Sequence, residues 1–192
     1  MKRGFKAEAK RLALELRAEI DLGPSDPFDP WALAELYGIA VYDLESIDCP
    51  PRALRHFTTI RSGVWSGALI SYSDGLIILE NSAHAVVRRR STISHEMAHV
   101  ALEHEFSLQL THERGCGTSD PEQEEEAAEL SGELLIPFEA ACIAARRGHS
   151  DLAVAQHFEV SEEVARWRMN ASGARKIAQR RAEAYARRVR GG

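Results

Sequence analysis

His95-Glu96-Met97-Ala98-His99 is the segment of this 192-residue chain whose residue types and spacing could do chemistry. Two histidines four positions apart on a helix point the same way, one turn above the other. Both imidazoles can then reach one metal ion. The glutamate between them lies about 100° round the helix, where it can serve a water rather than the metal. That is the H-E-x-x-H arrangement of a zinc-dependent peptidase. The same two histidines could also be ordinary core residues or half of a salt-bridge network, so the rest of the ligand set has to be sought elsewhere.

A catalytic zinc takes three protein ligands and keeps a position open for water. A metzincin would place a third histidine ten residues after His95, but Glu105 stands there. His104 is predicted to continue the motif helix and to turn away from the His95/His99 face. A carboxylate from a later helix is the alternative, and the acidic run over 122–135 supplies candidates. At about 100° per residue, Ala127, Ala128, Leu130, Ser131, Leu134 and Leu135 share one arc. Glu124 falls inside that arc; Glu125, Glu126, Glu129 and Glu133 fall outside it. The expectation is that Glu124 faces inward as the third ligand and that the other four acids form a solvated face. Small neighbours (Ala127, Ala128, Ser131, Gly132) would let this helix approach the motif helix closely. Tyr72, His104 and His112 are candidates for stabilising an oxyanion, by residue type alone.

The elements that must hold these residues can be read from periodicity and breakers. Residues 5–20 read as an amphipathic helix with Leu12, Leu16 and Ile20 on one face. Asp29-Pro30-Trp31 is an N-cap with proline at the first helical position, opening a helix that Gly38 ends. A strand follows at 39–42. Residues 45–61 carry no clear signal, and Cys49-Pro50-Pro51 reads as irregular. Strands at 67–72 and 76–80 flank the hairpin signal Ser73-Asp74-Gly75. The motif helix is predicted over 84–105, a loop over 112–119, and a helix from Asp120-Pro121 to Leu135 that Pro137 stops. From Phe138 onward the chain reads helical, broken at Gly148 and Gly173. Within it, Asp151 to Met169 carries a turn at Glu159-Val160 and Ser161 as an N-cap, which suggests a helix-turn-helix. The expected architecture is α+β and mostly helical: a core with a small three-stranded sheet over 1–147, then a helix-turn-helix-like segment with a basic tail over 148–192.

Net charge is −5 but unevenly spread. The stretch 113–139 is strongly acidic, whereas from Arg166 onward there are nine Lys or Arg and one acid, Glu183. Such a tail can face a protein or phosphates, or be a solvated helix. Glu162 and Glu163 at the start of the second helix of the pair disfavour direct DNA reading, so DNA binding is possible but not favoured. No apolar run approaches the ~18 residues of a membrane span, and the basic start Met1-Lys2-Arg3 is followed by no apolar signal core. Three widely spaced cysteines, Cys49, Cys116 and Cys142, fit neither a disulfide framework nor a zinc ribbon. The expected location is cytoplasmic.

These features resemble the ImmA/IrrE-type metallopeptidases, whose fold is related to the thermolysin-like gluzincins. Asp29-Pro30-Trp31-Ala32-Leu33-Ala34-Glu35-Leu36-Tyr37-Gly38-Ile39 is similar to that family's opening, and Arg88-Arg89-Arg90-Ser91-Thr92-Ile93-Ser94 to its basic lead-in. The family follows with E-x-x-A-N and L-L-M-P; here the counterparts are Glu124 to Ala128 and Leu134-Leu135-Ile136-Pro137. Two positions depart, Ala128 for the common asparagine and Leu130 for the usual phenylalanine. The resemblance implies that the core over 1–147 is a minimal zincin-like one, with Zn²⁺ held by His95, His99 and Glu124 and with Glu96 as general base. It also implies a regulatory protease that cleaves a helix-turn-helix repressor in stress or mobile-element control. The alternative is a non-enzymatic, zinc-stabilised regulator that binds a repressor or DNA without cutting. Oligomeric state is open.

Overall fold

The computed structural model describes residues 1–72, 75–104 and 120–190. Helix α1 (Phe5–Glu19) buries Phe5, Ala9, Ala13 and Leu16, a stripe at helical spacing, while Leu12 and Ile20 are half-buried beside it. That stripe lies against α5 (Pro121–Leu135). Arg17, wholly buried, donates from α1 to the carbonyls of Gly23 at 2.7 Å and Leu134 at 2.5 Å, and also to that of Asp26. The Leu134 carbonyl is one of the last four of α5, which have no partner within the helix. Burial pushes the Arg17 guanidinium down to about 10, so it stays charged at neutral pH.

Asp29 caps α2 (Pro30–Leu36), its side chain accepting from the Trp31 N–H at 3.0 Å, with Pro30 at the first helical position. Gly38 takes φ 68° and turns the chain into β1 (Ala40–Asp43). Strands β2 (Gly67–Tyr72) and β3 (Gly75–Glu80) complete a mixed sheet of order β1-β3-β2, with β1 parallel and β2 antiparallel to β3. The hairpin signal was read correctly as far as its flanking strands go; Ser73 and Asp74 lie outside the described residues. Among the described residues β2 is an edge strand. The Asn81 N–H donates to the Ser66 carbonyl at 2.9 Å, which sets the alternation: Gly67, Leu69 and Ser71 turn their backbone groups away from β3. Gly67 is where this edge meets the motif helix. A Cβ there would lie 2.5 Å from Thr92 Cγ2 and 3.1 Å from the Leu79 carbonyl oxygen.

Residues 45–61 gave no sequence signal, and Pro51 is not irregular: it opens the short helix α3 (Pro51–Arg55), where proline suits the first turn. A π-helical turn (His56–Ile60) and a 3₁₀ turn (Ser62–Val64) follow, with no buried residue in any of the three. Their anchor is remote. The buried Asn81 amide donates to the carbonyls of Phe57 at 2.9 Å, Trp65 at 3.1 Å and Ser62 at 3.3 Å.

The motif helix α4 (Val86–Ala101) is shorter than predicted. It closes at Leu102, and Glu103 adopts φ 51°, which folds the chain back. Asp120 caps α5, accepting from the Glu122 N–H at 2.9 Å. Beyond it run α6 (Phe138–Arg146), α7 (Asp151–Phe158), α8 (Glu162–Ala171) and α9 (Ala174–Arg190). The α7–α8 turn is as the sequence suggests: Glu159 has φ 53°, and Ser161 accepts from the Val164 N–H at 3.1 Å. Val154, Phe158, Val160, Ala165 and Met169 belong to the same core cluster as Phe5, Ile93 and Met97. The core therefore runs across residue 148, the expected division between the two segments.

The expected solvated face of α5 is not there. Glu126, Glu129 and Glu133 are buried, and only Glu125 of the four is exposed. The one-sided projection failed because α5 is packed on several sides at once, by α1, α4 and the Trp167–Arg168 side of α8. Gly132, expected to ease the approach to α4, instead admits the Trp167 ring, which would stand 2.8 Å from a Cβ there.

Candidate metal centre and peptidase site

Ile93 and Met97 bury one side of α4 wholly, which fixes its rotation. His95 and His99 then project from the neighbouring face, one turn apart. Their Nε2 atoms lie 3.1 Å from each other. Glu124 reaches them from the first turn of α5, with Oε2 3.1 Å from His95 Nε2 and Oε1 3.4 Å from His99 Nε2. Four-coordinate zinc with bonds of ~2.0–2.1 Å would hold tetrahedral donors roughly 3.3 Å apart. The donor set and its spacing therefore fit one metal ion. The group also opens outward: the side chains of Glu124 and His95 are 40% and 29% exposed, that of His99 only 9%. Burial, with His95 beside it, pushes the His99 imidazole down to about 4. Its ring is thus neutral at neutral pH, the form that ligates.

Glu96 lies about 100° round α4 from His95 and accepts from the Leu69 N–H of β2. Burial pushes its carboxyl above the ordinary carboxylate range; His95 and the Leu69 N–H oppose that shift. The cause matters for chemistry, because a carboxylate that must take and return a proton works best with a pKa nearer neutrality.

His104 was expected to continue the helix and turn away. It does neither. After the reversal at Glu103, the His104 N–H donates to the His99 carbonyl at 3.1 Å, and its ring is buried with Nδ1 2.9 Å from His99 Nδ1. On the far side its Nε2 stands 3.7 Å from Glu126 Oε2, and Glu126 also accepts from the Lys2 N–H at 3.1 Å. Only one tautomer set serves a metal. His99 keeps the Nε2 lone pair and donates from Nδ1; His104 accepts at Nδ1 and directs its Nε2–H at Glu126. His104→Ala is therefore expected to lower metal affinity about 10- to 100-fold, as loss of a ligand-orienting partner does. Competition with a chromogenic chelator measures it; unchanged affinity would deny His104 this role. The only signal for His104 in the sequence was its being a third histidine close behind the motif. Of the oxyanion candidates, Tyr72 is 67% exposed at the end of β2, His104 lies behind His99, and His112 is outside the described residues.

Two imidazoles and a carboxylate at ligand spacing, on an H-E-x-x-H helix with its glutamate free of the donor set, define a metallopeptidase-type site. The sequence pattern of the IrrE N-terminal-like domain, Peptidase_M78, matches residues 55–170, more than half of the chain, and the chain belongs to that family. The match runs from the last residue of α3 through most of α8 and so includes both the metal-ligand group and Glu96. No curated protein matches the chain. Among the described residues no helix is long and apolar enough to cross a membrane.

Proposed function

We propose that the chain is a zinc-dependent endopeptidase. The observation that carries this reading is the position of Glu96: half-buried on the motif helix, beside the three-donor group and facing the edge strand rather than the donors. A metal that only stabilises a fold is closed by four protein ligands and needs no such carboxylate. His95, His99 and Glu124 would hold the ion, and imidazole with carboxylate in tetrahedral spacing favours zinc. When bound, zinc polarises a carbonyl and lowers the pKa of water toward neutrality. Glu96 takes the proton from the attacking water, holds it in its half-buried site, and returns it to the departing amine. The outward backbone groups of Gly67 and Ser71 offer an extended peptide a strand to pair with, which would lay the scissile bond along α4.

The substrate we propose is a helix-turn-helix transcriptional repressor, cut at one bond in the cytoplasm to relieve repression. Membership of the IrrE-like family supports this choice. Incubating the chain with candidate helix-turn-helix repressors, with and without added zinc, tests it by mass spectrometry. One zinc-dependent cut is expected. An intact repressor under conditions where a general peptide library is cleaved would remove the repressor from the proposal.

A further inference from the structure

The Arg88-Arg89-Arg90 run splits into two kinds of arginine. Arg89 grips Glu80 with two bonds, of 2.9 and 2.5 Å. Arg90 pairs with Glu159 at 2.5 Å. Arg88 has no carboxylate among the described residues. Its Nη2 donates to Ser66 Oγ at 2.8 Å and, weakly, to the Gly63 carbonyl at 3.4 Å. It sits on the α4 face that continues through Ser91, Thr92 and His95, at spacings of three and four. Between that face and the start of β2 lies a cavity of about 290 Å³, lined by Ser66, Gly67, Ser91 and Thr92, with Arg88 at one end and His95 and Glu96 at the other.

We propose that this cleft is a subsite for an acidic residue of the peptide substrate, with Arg88 as the specificity-determining residue. The proposal rests on the peptidase reading above. The Ser91 and Thr92 hydroxyls are bonded back to the Val87 and Arg88 carbonyls at 3.1 Å each, so they offer little to a ligand. Ser66 accepts from Arg88 and keeps its own hydroxyl proton, so Ser66 and Arg88 together present donors to one carboxylate. The guanidinium fork suits that geometry. Eight residues of helix, roughly 12 Å, separate Arg88 from Glu96. An extended peptide rises about 3.3 Å per residue, so the acid falls roughly three or four residues from the cut bond. A carboxylate can come from an internal Asp or Glu or from the peptide's own C-terminus; the subsite is proposed for the former.

The probe is a set of capped octapeptides carrying Glu, Gln or Lys at one position each, with a second set ending in a free carboxylate. Retention on the 192-residue Glu96→Gln chain and cleavage by wild type are both read by mass spectrometry. Glu peptides should be retained and cut roughly tenfold or more in preference to Gln peptides, the scale of a charge-assisted bond. Arg88→Gln should level the two, and Arg88→Glu should move the preference to Lys. Equal retention of Glu and Gln peptides, no retention of either, or a preference that survives Arg88→Gln would overturn the proposal. A preference confined to free C-termini would overturn it in favour of a terminal carboxylate. Arg88-dependent retention without cleavage by wild type would uphold the subsite and sink the peptidase reading; cleavage with no acidic preference would do the reverse.

Discussion

Glu96→Gln should leave the chain folded and able to hold its metal, and should lower peptide hydrolysis by about 10² to 10⁴, the usual contribution of a positioned general base. Glutamine matches glutamate in shape and can still meet the Leu69 N–H from β2 through its carbonyl oxygen. It cannot take a proton from water. The donors at His95, His99 and Glu124 are untouched, because Glu96 lies about 100° round α4 from His95. The discriminating outcome is the pair of results together. Full metal content with hydrolysis lost supports the general base. Hydrolysis within a few-fold of wild type would mean that another group moves the proton.

Arg168→Ala should cost about 3–5 kcal/mol of stability, because it leaves the buried Glu133 carboxyl without its cation and Glu129 with Lys6 alone. Arg168 is fully buried. It donates to the Ile136 carbonyl at 3.0 Å and to Glu129 at 3.2 Å, and pairs closely with Glu133. Glu129 has a second partner, Lys6 at 3.1 Å, whereas among the described residues Glu133 otherwise accepts only from the Phe138 N–H at 2.8 Å. Burial already pushes the Glu133 carboxyl up, with Arg168 opposing. For a chain of this size the expected fall in Tm is roughly 6–20 °C, measured by thermal unfolding. Replacing Arg168 by Met together with Glu133 by Leu and Glu129 by Gln should recover most of the loss, since a well-packed apolar group can substitute for a buried pair. A shift below about 2 °C in the single variant would show that the network carries little. The network joins α8 to the middle of α5, whose first turn carries Glu124. The C-terminal helices thus brace the helix that completes the donor set.

The parts of the fold legible in the sequence are those with local punctuation. Asp29-Pro30 and Asp120-Pro121 cap helices as expected, and Ser161 caps α8 after a left-handed residue at Glu159. His95 and His99 were legible because helical spacing alone brings i and i+4 together. Glu124 was chosen as the acid on the inner arc of α5, and it does lie at the two histidines, but at 40% exposure it is no interior group. The projection treated α5 as one-sided, whereas Arg168 of α8 meets Glu129 and Glu133, Lys6 of α1 meets Glu129, and His104 meets Glu126, on the side it assigned to solvent. His104 was missed because the end of α4 carries no glycine, proline or asparagine; Glu103 takes the left-handed conformation without a sequence signal. The turns over 56–64 were unreadable for a different reason: their anchor, Asn81, lies some twenty residues away. Arg88 was read only as part of a basic lead-in. What distinguishes it from Arg89 and Arg90 is the tertiary partner each one meets.

The metal content of the purified 192-residue chain tests the central claim most directly. Prepared without chelator and measured by elemental mass spectrometry, wild type and Glu96→Gln should each carry about one zinc per chain, and His95→Ala and Glu124→Ala should carry little. One ion follows from the one group of three donors among the described residues, which lie within 4.8 Å of one another. Wild type with no stoichiometric metal, or zinc retained in full by both ligand variants, would contradict the site.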